Sequence, residues 1–272
     1  MHKLIRIFRI LFENLFINYK KYDKNFQIQT TNTVVTFNIR ADHPRDNKTN
    51  WVYRRKPIID FIKDKTPGII CMQEVQPHML KWMCKKIFNT YDFVDVARNK
   101  NNTSLLKSIN VFNGGLVTWY DKEEYILLNH SIILPEKGKD ANDSNIALWC
   151  CFQDKNGNVF NIINTHYGVY YQHERQHLTN AINKFINDKA LRNVYFMGDL
   201  NASMNSTEIK SINLKYRVPF DNETQRTFNH FDETHAIIDF IFSDNIITDY
   251  EIVTKNYGVP FISDHYPIIT NL

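Results

Sequence analysis

Eight short apolar runs constrain this chain most: "TVVTFNI" (33–39), "GIICMQE" (68–74), "GGLVTWY" (114–120), "NIALWCCF" (145–152), "VFNIINTH" (159–166), "VYFMGDL" (194–200), "IIDFIF" (237–242) and "YPIITNL" (266–272). Each is rich in β-branched or aromatic residues, so each is predicted to be a strand. "DKNGNV", between the fourth and fifth, carries the Asn-Gly signal of a hairpin. Helical stripes fall between some strands. They are Ile58, Phe61 and Ile62, entered through Pro57; Met79, Leu80, Met83 and Ile87, entered through Pro77; and Leu178, Ala181, Ile182, Phe185 and Ile186. Strands outnumber helices, and hairpins mix with crossovers. The pattern predicts an α/β (α+β) chain whose mixed pair of sheets is covered by helices. The polar stretches 100–113 and 137–144 are predicted to be surface loops of the kind that frames a site.

A chain of 272 residues can build one large core or two small ones, and no Pro/Gly/Ser-rich linker appears after residue 30. We expect one domain over residues 28–272, preceded by an extension over 1–27. In that extension Leu4, Phe8, Leu11 and Leu15 recur at helical spacing, with Arg6, Arg9 and Glu13 on another face. The expectation is an amphipathic helix that packs on the main domain, with residues 1–24 offering a surface for peripheral membrane contact. Arg6 and Arg9 interrupt any signal-peptide core, and no small-residue cleavage site follows. The four cysteines form no C-x-x-C pair and read as reduced core residues, which favours an intracellular setting. A net charge of +4 tolerates an anionic partner without arguing for nucleic acid. No obligate protein partner is inferred.

The strand ends carry the chemistry. In order they deliver Asn38 and Arg40, Gln73 and Glu74, Asn164 and His166, Asp199 and Asn201, Asp239, and Asp264 and His265. Any one of these suits a turn or cap, since Asn and Asp favour strand ends for local reasons. Repetition on strand after strand is not turn chemistry. Asp199 and Asn201 stand two apart at the end of an apolar strand, where side chains share a face. Glu74 and Asp264 supply hard oxygen ligands and no thiolate set competes, so magnesium is preferred, with manganese as the alternative, over zinc. The two histidines serve proton chemistry or anion binding. Asp199 can hold a water, and Asn38 and Asn201 can donate to a phosphoryl oxygen. The set suits metal-assisted attack of water on a phosphate ester. No Walker loop, G-x-S-x-G elbow or H-E-x-x-H helix is present.

The segments "TFNIR", "MQEV", "NTH" with Arg175 downstream, "GDLNA", "TFNHF", "IDFIF" and "SDHYPI", in this order from about residue 33 to 272, resemble the endonuclease/exonuclease/phosphatase superfamily of metal-dependent phosphohydrolases. The resemblance implies a four-layer α/β/β/α sandwich with two mixed sheets face to face. It implies Glu74 as the main magnesium ligand, with Asn38 and Asp264 near the metal. Asp199 would position or deprotonate the attacking water, and Asn201 would contact the phosphate. His265, oriented by Asp239, would bind the transition-state phosphate or act as general acid/base, and His166 would be a second stabilising donor. "NIRADHPRDNKTNWVYRR" resembles one subgroup, in which Arg40 and Arg54 are candidate anion contacts and Trp51 packs. Asn164 and Arg175 complete the candidate substrate-binding set. Gly168, Asn145 and Ile238 stand where the family often has an acid, an arginine and an arginine.

The expected activity is hydrolysis of a phosphodiester or phosphomonoester. Nucleic acid, a nucleotide, an inositol phosphate, a sugar phosphate and a phospholipid are open as substrates. The rival reading is a non-catalytic binding or scaffold protein on the same fold. Against it, so many polar groups at strand ends are costly to bury without a use.

Overall fold

The computed structural model describes residues 28–43, 45–96, 114–135, 145–218, 220, 225–232 and 236–272. The N-terminal stripe and the loops 100–113 and 137–144 lie outside the described residues. In chain order the strands are β1 (Thr31–Asn38), β2 (Pro67–Val75), β3 (Tyr91–Val96), β4 (Gly115–Asp121), β5 (Tyr125–Ile133), β6 (Ile146–Asp154), β7 (Val159–His166), β8 (Val194–Asp199), β9 (Tyr216–Arg217), β10 (Asp239–Ser243), β11 (Tyr250–Ile252) and β12 (Ile268–Asn271). The α-helices are α1 (Trp51–Lys65), α2 (Pro77–Ile87), α3 (Gln172–Asp188) and the single turn α4 (Thr207–Lys210).

Two mixed six-stranded sheets result, ordered β11-β12-β1-β2-β4-β3 and β5-β6-β7-β8-β10-β9. Each has one parallel pair at its centre, β1 with β2 and β7 with β8. The alternation along β1 decides which face goes where. Val34 joins Ile69, Cys71 and Leu116 in a core shared with Leu148, Ile163 and Phe196 of the second sheet. Val35 and Phe37 face the other way, onto Ile58, Phe61 and Ile62 of α1 and Met79 and Met83 of α2. On the second sheet, α3 buries Leu178 and Ile182, and Phe185 meets Trp149 edge-on at 5.2 Å. These layers are helix, sheet, sheet, helix. Each fully buried side chain of this kind contributes about 1.5–3 kcal/mol.

A polar seam crosses the apolar layer between the sheets. Gln73 Nε2 donates to Asn164 Oδ1 at 2.8 Å, and Asn164 Nδ2 donates to the Val117 and Met72 carbonyls at 3.1 and 3.3 Å. Asn164 shares a face with His166 but sits two residues deeper, fully buried under the opposite sheet. Its expected contact with substrate is therefore corrected to a bridge between sheets.

Four strands escape the hydrophobic pattern. In β3, Asp92 and Asp95 interrupt "YDFVDV", and β5 is an edge strand with Asn129 and His130 exposed. The strands β9 and β11 are two and three residues long. Helix α1 starts at Trp51, capped by Asn50, and carries Pro57 in its interior. Proline is better tolerated in a first turn. Here buried Trp51 and Arg54 extend the helix N-terminally, past where the apolar stripe begins.

Candidate active site

Pairing around β8 brings the polar strand ends together. Asp199 lies opposite His166 in the parallel β7–β8 pair and opposite Asp239 in the antiparallel β8–β10 pair. Gly198 makes this possible. Its φ is +148°, and a Cβ there would overlap the Thr165 carbonyl. On the facing sheet, the β2–β4 register shifts between Met72 and Val75, where Glu74 adopts φ 62°. Gly114 lies against the Glu74 backbone, too close for any side chain. Arg40 and Asn201 also have positive φ, 56° and 44°. Such backbone costs of order 1 kcal/mol or more per residue and tends to cluster at functional sites.

Asn38 joins the two sheets. Its Nδ2 donates to Asp199 Oδ2 at 3.0 Å and to Glu74 Oε1 at 3.2 Å, while its Oδ1 accepts from the Arg40 N–H at 3.0 Å. Glu74 Oε2 accepts from the Ala41 N–H at 2.7 Å. Around Asp199 Oδ2 stand His166 Nε2 at 3.4 Å and His265 Nε2 at 3.6 Å. His265 Nδ1 donates to Asp239 Oδ2 at 2.8 Å. The Asn201 N–H donates to Asp199 Oδ1 at 2.9 Å, and its side-chain amide donates to the Tyr167 carbonyl at 2.9 Å. Arg40 lies 3.3 Å from Asp264 and 3.2 Å from Asp46. The structure thus gathers Asn38, Arg40, Glu74, His166, Asp199, Asn201, Asp239, Asp264 and His265 at one end of the sandwich.

Their charges are strongly coupled to one another. Burial pushes the Asp199 carboxyl up to about 7; the His265 charge opposes this and Asp239 adds to it. Burial disfavours the charged form of His265, but Asp239 and Asp199 outweigh it and raise the imidazole to about 10. Burial would also raise Glu74, yet His166, the Ala41 N–H and Arg40 hold it down at about 2. Asp264 is raised by burial, and the Glu74 charge adds to this against His265 and Arg40. Near neutral pH the site therefore combines an ionised Glu74, a cationic His265 and a carboxyl of Asp199 poised near its midpoint.

Two groupings bear on a metal. Asp199, Asp239 and His265 offer ligand atoms within 4.8 Å of one another. That trio already satisfies itself, since Asp239 accepts a hydrogen bond from His265 Nδ1, so it reads better as a carboxylate-oriented imidazole. Glu74 and Asp264 both feel the Arg40 charge, and Asn38 bonds directly to Glu74. The Glu74 and Asp264 carboxylates are hard oxygen donors of the kind that suits a divalent cation such as magnesium or manganese, whereas Asn38 turns its Nδ2 to Glu74 and its Oδ1 to the Arg40 N–H.

Two sequence-expected contacts sit elsewhere. Arg54 is fully buried and donates to the carbonyls of Thr49 at 2.5 Å, Ile39 at 2.5 Å, Arg40 at 3.0 Å and Ile262 at 3.4 Å. It clamps the chain leaving β1 and has no open face for a substrate anion. Arg175 pairs with buried Glu208 at 2.7 Å and donates to the carbonyls of Gly168 and Val169 at 3.1 and 3.0 Å. It supports a loop beside the site.

Sequence reasoning missed three supports and placed a fourth, Asp46, only by its match to the subgroup pattern. Ser263 Oγ donates to the Asn38 carbonyl at 2.7 Å, and Asp46 holds Arg40. Thr227 Oγ1 accepts from the Ile238 and Asp239 N–H groups at 3.0 and 3.1 Å, and the Phe228 ring lies 4.8 Å from that of His265. Ser263, Thr227 and Phe228 all lie in or beside the segments that carry the resemblance, which was the available signal.

A family model described as "Endonuclease/Exonuclease/phosphatase family" matches residues 35–265. Among solved structures, an endonuclease/exonuclease/phosphatase from Bacteroides vulgatus is similar at 24% identity and TM-score 0.71, covering 89% of this chain and 98% of that one. A mannosyl-6-phosphatase from Bacteroides thetaiotaomicron is 21% identical, with TM-score 0.71 and coverage of 89% and 99%. A TDP2 from D. rerio, complexed with single-strand DNA product, is 14% identical, with TM-score 0.66 and coverage of 88% and 97%. No curated protein matches the chain.

Proposed function

Because the chain belongs to the endonuclease/exonuclease/phosphatase family, we propose that it hydrolyses phosphate esters by attack of water on phosphorus, with magnesium or manganese held chiefly by Glu74 and with Asp264 and Asn38 near it. The observation that carries this reading is the convergence on Asp199 of Asn38, His166 and His265, the last anchored by Asp239. A bound divalent ion supplies positive charge that polarises a phosphoryl oxygen.

The chain's own groups do the rest. Asp199, with a carboxyl near 7, orients the water and takes its proton as the oxygen bonds to phosphorus. His265, cationic near neutral pH, donates from Nε2 to the developing phosphorane charge and then to the departing ester oxygen. Asp239 fixes its Nδ1 proton and so its orientation. His166 and the amide of Asn201 are further donors to the phosphoryl oxygens. Arg40 contributes positive charge beside Asp264.

Two of the similar structures named above are a mannosyl-6-phosphatase and a TDP2 complexed with single-strand DNA product, so both mono- and diesters are in the substrate class we propose. The test is hydrolysis of a panel spanning abasic duplex DNA, single-stranded RNA, nucleotides, inositol phosphates, hexose phosphates, sphingomyelin and aryl esters. It is run with magnesium, with EDTA, and with the Asp199→Asn and His265→Gln variants. Turnover of one class, lost in EDTA and reduced about 10³-fold in each variant, supports the proposal. Hydrolysis that survives EDTA and both substitutions overturns it.

A further inference from the structure

The chain leaving His166 at the end of β7 does not turn back into the core. Tyr167 is buried, and then Val169, Tyr170 and Tyr171 are 62%, 87% and 57% exposed before α3 begins at Gln172. Three consecutive exposed apolar residues on a soluble surface call for a partner. The Tyr170 and Tyr171 ring centroids are 6.5 Å apart, and that of His173 lies 5.6 Å from Tyr171, so the rings form a continuous strip.

The backbone beneath the strip is held from several sides. Arg175 binds the Gly168 and Val169 carbonyls while paired with Glu208, which is itself buried and also accepts from Gln172 Nε2 at 3.0 Å. The Gly168 N–H donates to Asn145 Oδ1, and the Tyr167 carbonyl accepts from the site residue Asn201. An ion pair whose carboxylate is buried, spent on loop carbonyls, fixes the loop's shape before any ligand arrives, which lowers the cost of binding. Tyr170 and Tyr171 are only four and five residues from His166, so their Cα atoms lie within about 18 Å of its own.

We propose that Tyr170 and Tyr171 form the rim that receives the organic part of the ester, and that they select phosphate esters carrying a ring over small acyclic ones. This rests on the phosphohydrolase reading of the adjoining site. A nucleobase stacks on tyrosine through its π-face, and a hexose packs through its C–H face; both present a ring face to the aromatic side chain.

The test is calorimetric binding to the full chain with magnesium, using AMP, ribose 5-phosphate, mannose 6-phosphate and glycerol 2-phosphate. Each is titrated into wild type, the Tyr170→Ala/Tyr171→Ala double variant and the Tyr170→Phe/Tyr171→Phe double variant. A ring-bearing probe binds wild type at least tenfold more tightly than glycerol 2-phosphate. The alanine pair erases that preference and the phenylalanine pair keeps it. AMP ahead of ribose 5-phosphate identifies base stacking; mannose 6-phosphate ahead of both identifies the sugar face. Equal binding of all four, including no measurable binding of any, overturns the proposal, as does a preference that survives the alanine pair. The hydrolytic reading fails separately, by turnover that ignores Asp199→Asn while the ring preference still tracks the tyrosines.

Discussion

Asn38 on the first sheet and Asp199 on the second are joined by a 3.0 Å hydrogen bond, and the same amide nitrogen holds Glu74. The donor that spaces these two carboxylates is therefore also a clasp between the sheets.

Replacing Asn38 with alanine strips both carboxylates of that donor in a buried setting. The expected outcome is a loss of about 1–3 kcal/mol of stability, together with a fall of about 10²–10³-fold in kcat on any ester the chain turns over. Urea unfolding and steady-state kinetics on one preparation check both. Unchanged unfolding would mean the clasp carries no load.

Proton linkage gives a direction for pH. His265 rises from 6.5 to about 10 in the folded chain, so its contribution is full below 6.5 and lost as pH climbs through about 10. Asp199 rises from 3.8 to about 7, so the cost of its buried charge accumulates as pH climbs between those values and is complete above about 7. His265 makes the metal-free protein less stable from pH 6 to pH 9 and Asp199 adds to the fall up to about pH 7, each by at most about 1.4 kcal/mol per pH unit per proton. Thermal melts in EDTA should show Tm falling over this range, with a flatter profile in His265→Gln. A rising Tm contradicts the assignment.

Arg54 separates a scaffold from a substrate contact. Arg54→Lys cannot reproduce a fork that reaches four carbonyls, so about 2–4 kcal/mol of stability is expected to go. At temperatures where the variant stays folded, KM should stay within about twofold of wild type. A large KM increase at unchanged Tm would return Arg54 to the substrate.

Gly198→Ala should be among the most damaging single substitutions outside the reacting groups. The new methyl would collide with the Thr165 carbonyl, at a φ of +148° that alanine resists. Separation of β7 from β8 would follow, costing more than about 3 kcal/mol. The readout is soluble expression and the unfolding midpoint. Gly157→Ala, in an open turn at φ +84°, is the milder comparison.

The eight apolar runs were legible because burial on both faces leaves near-continuous hydrophobic sequence. Strand β5 was not, because as an edge strand it carries exposed Ile126 and Leu128 beside Asn129 and His130, which matches no single period. At the site, Asp199, Asp239 and His265 could be read because each ends or interrupts an apolar run. Arg54, Arg175 and Asn164 misled for one physical reason. A charged or amide side chain advertises its donors in sequence, but whether those donors meet a ligand or the protein's own carbonyls is settled by depth, which spacing does not report. Ser263 and Thr227 act through single hydroxyls on main-chain groups, and any loop serine or threonine could do the same.

β12 lies between β1 and β11, and Asp264 and His265 sit just before it. A ribosome releases Asn38 and Glu74 more than 180 residues ahead of these partners. Until residues 264–271 emerge, β1 has an open flank, and five polar strand ends wait without the imidazole and carboxylate that balance them. The nascent chain thus passes through a long interval with an unpaired edge at the middle of its first sheet. Contacts so distant along the chain form late in folding, and an unpaired strand edge exposed in the meantime is the feature that makes such intermediates prone to aggregate.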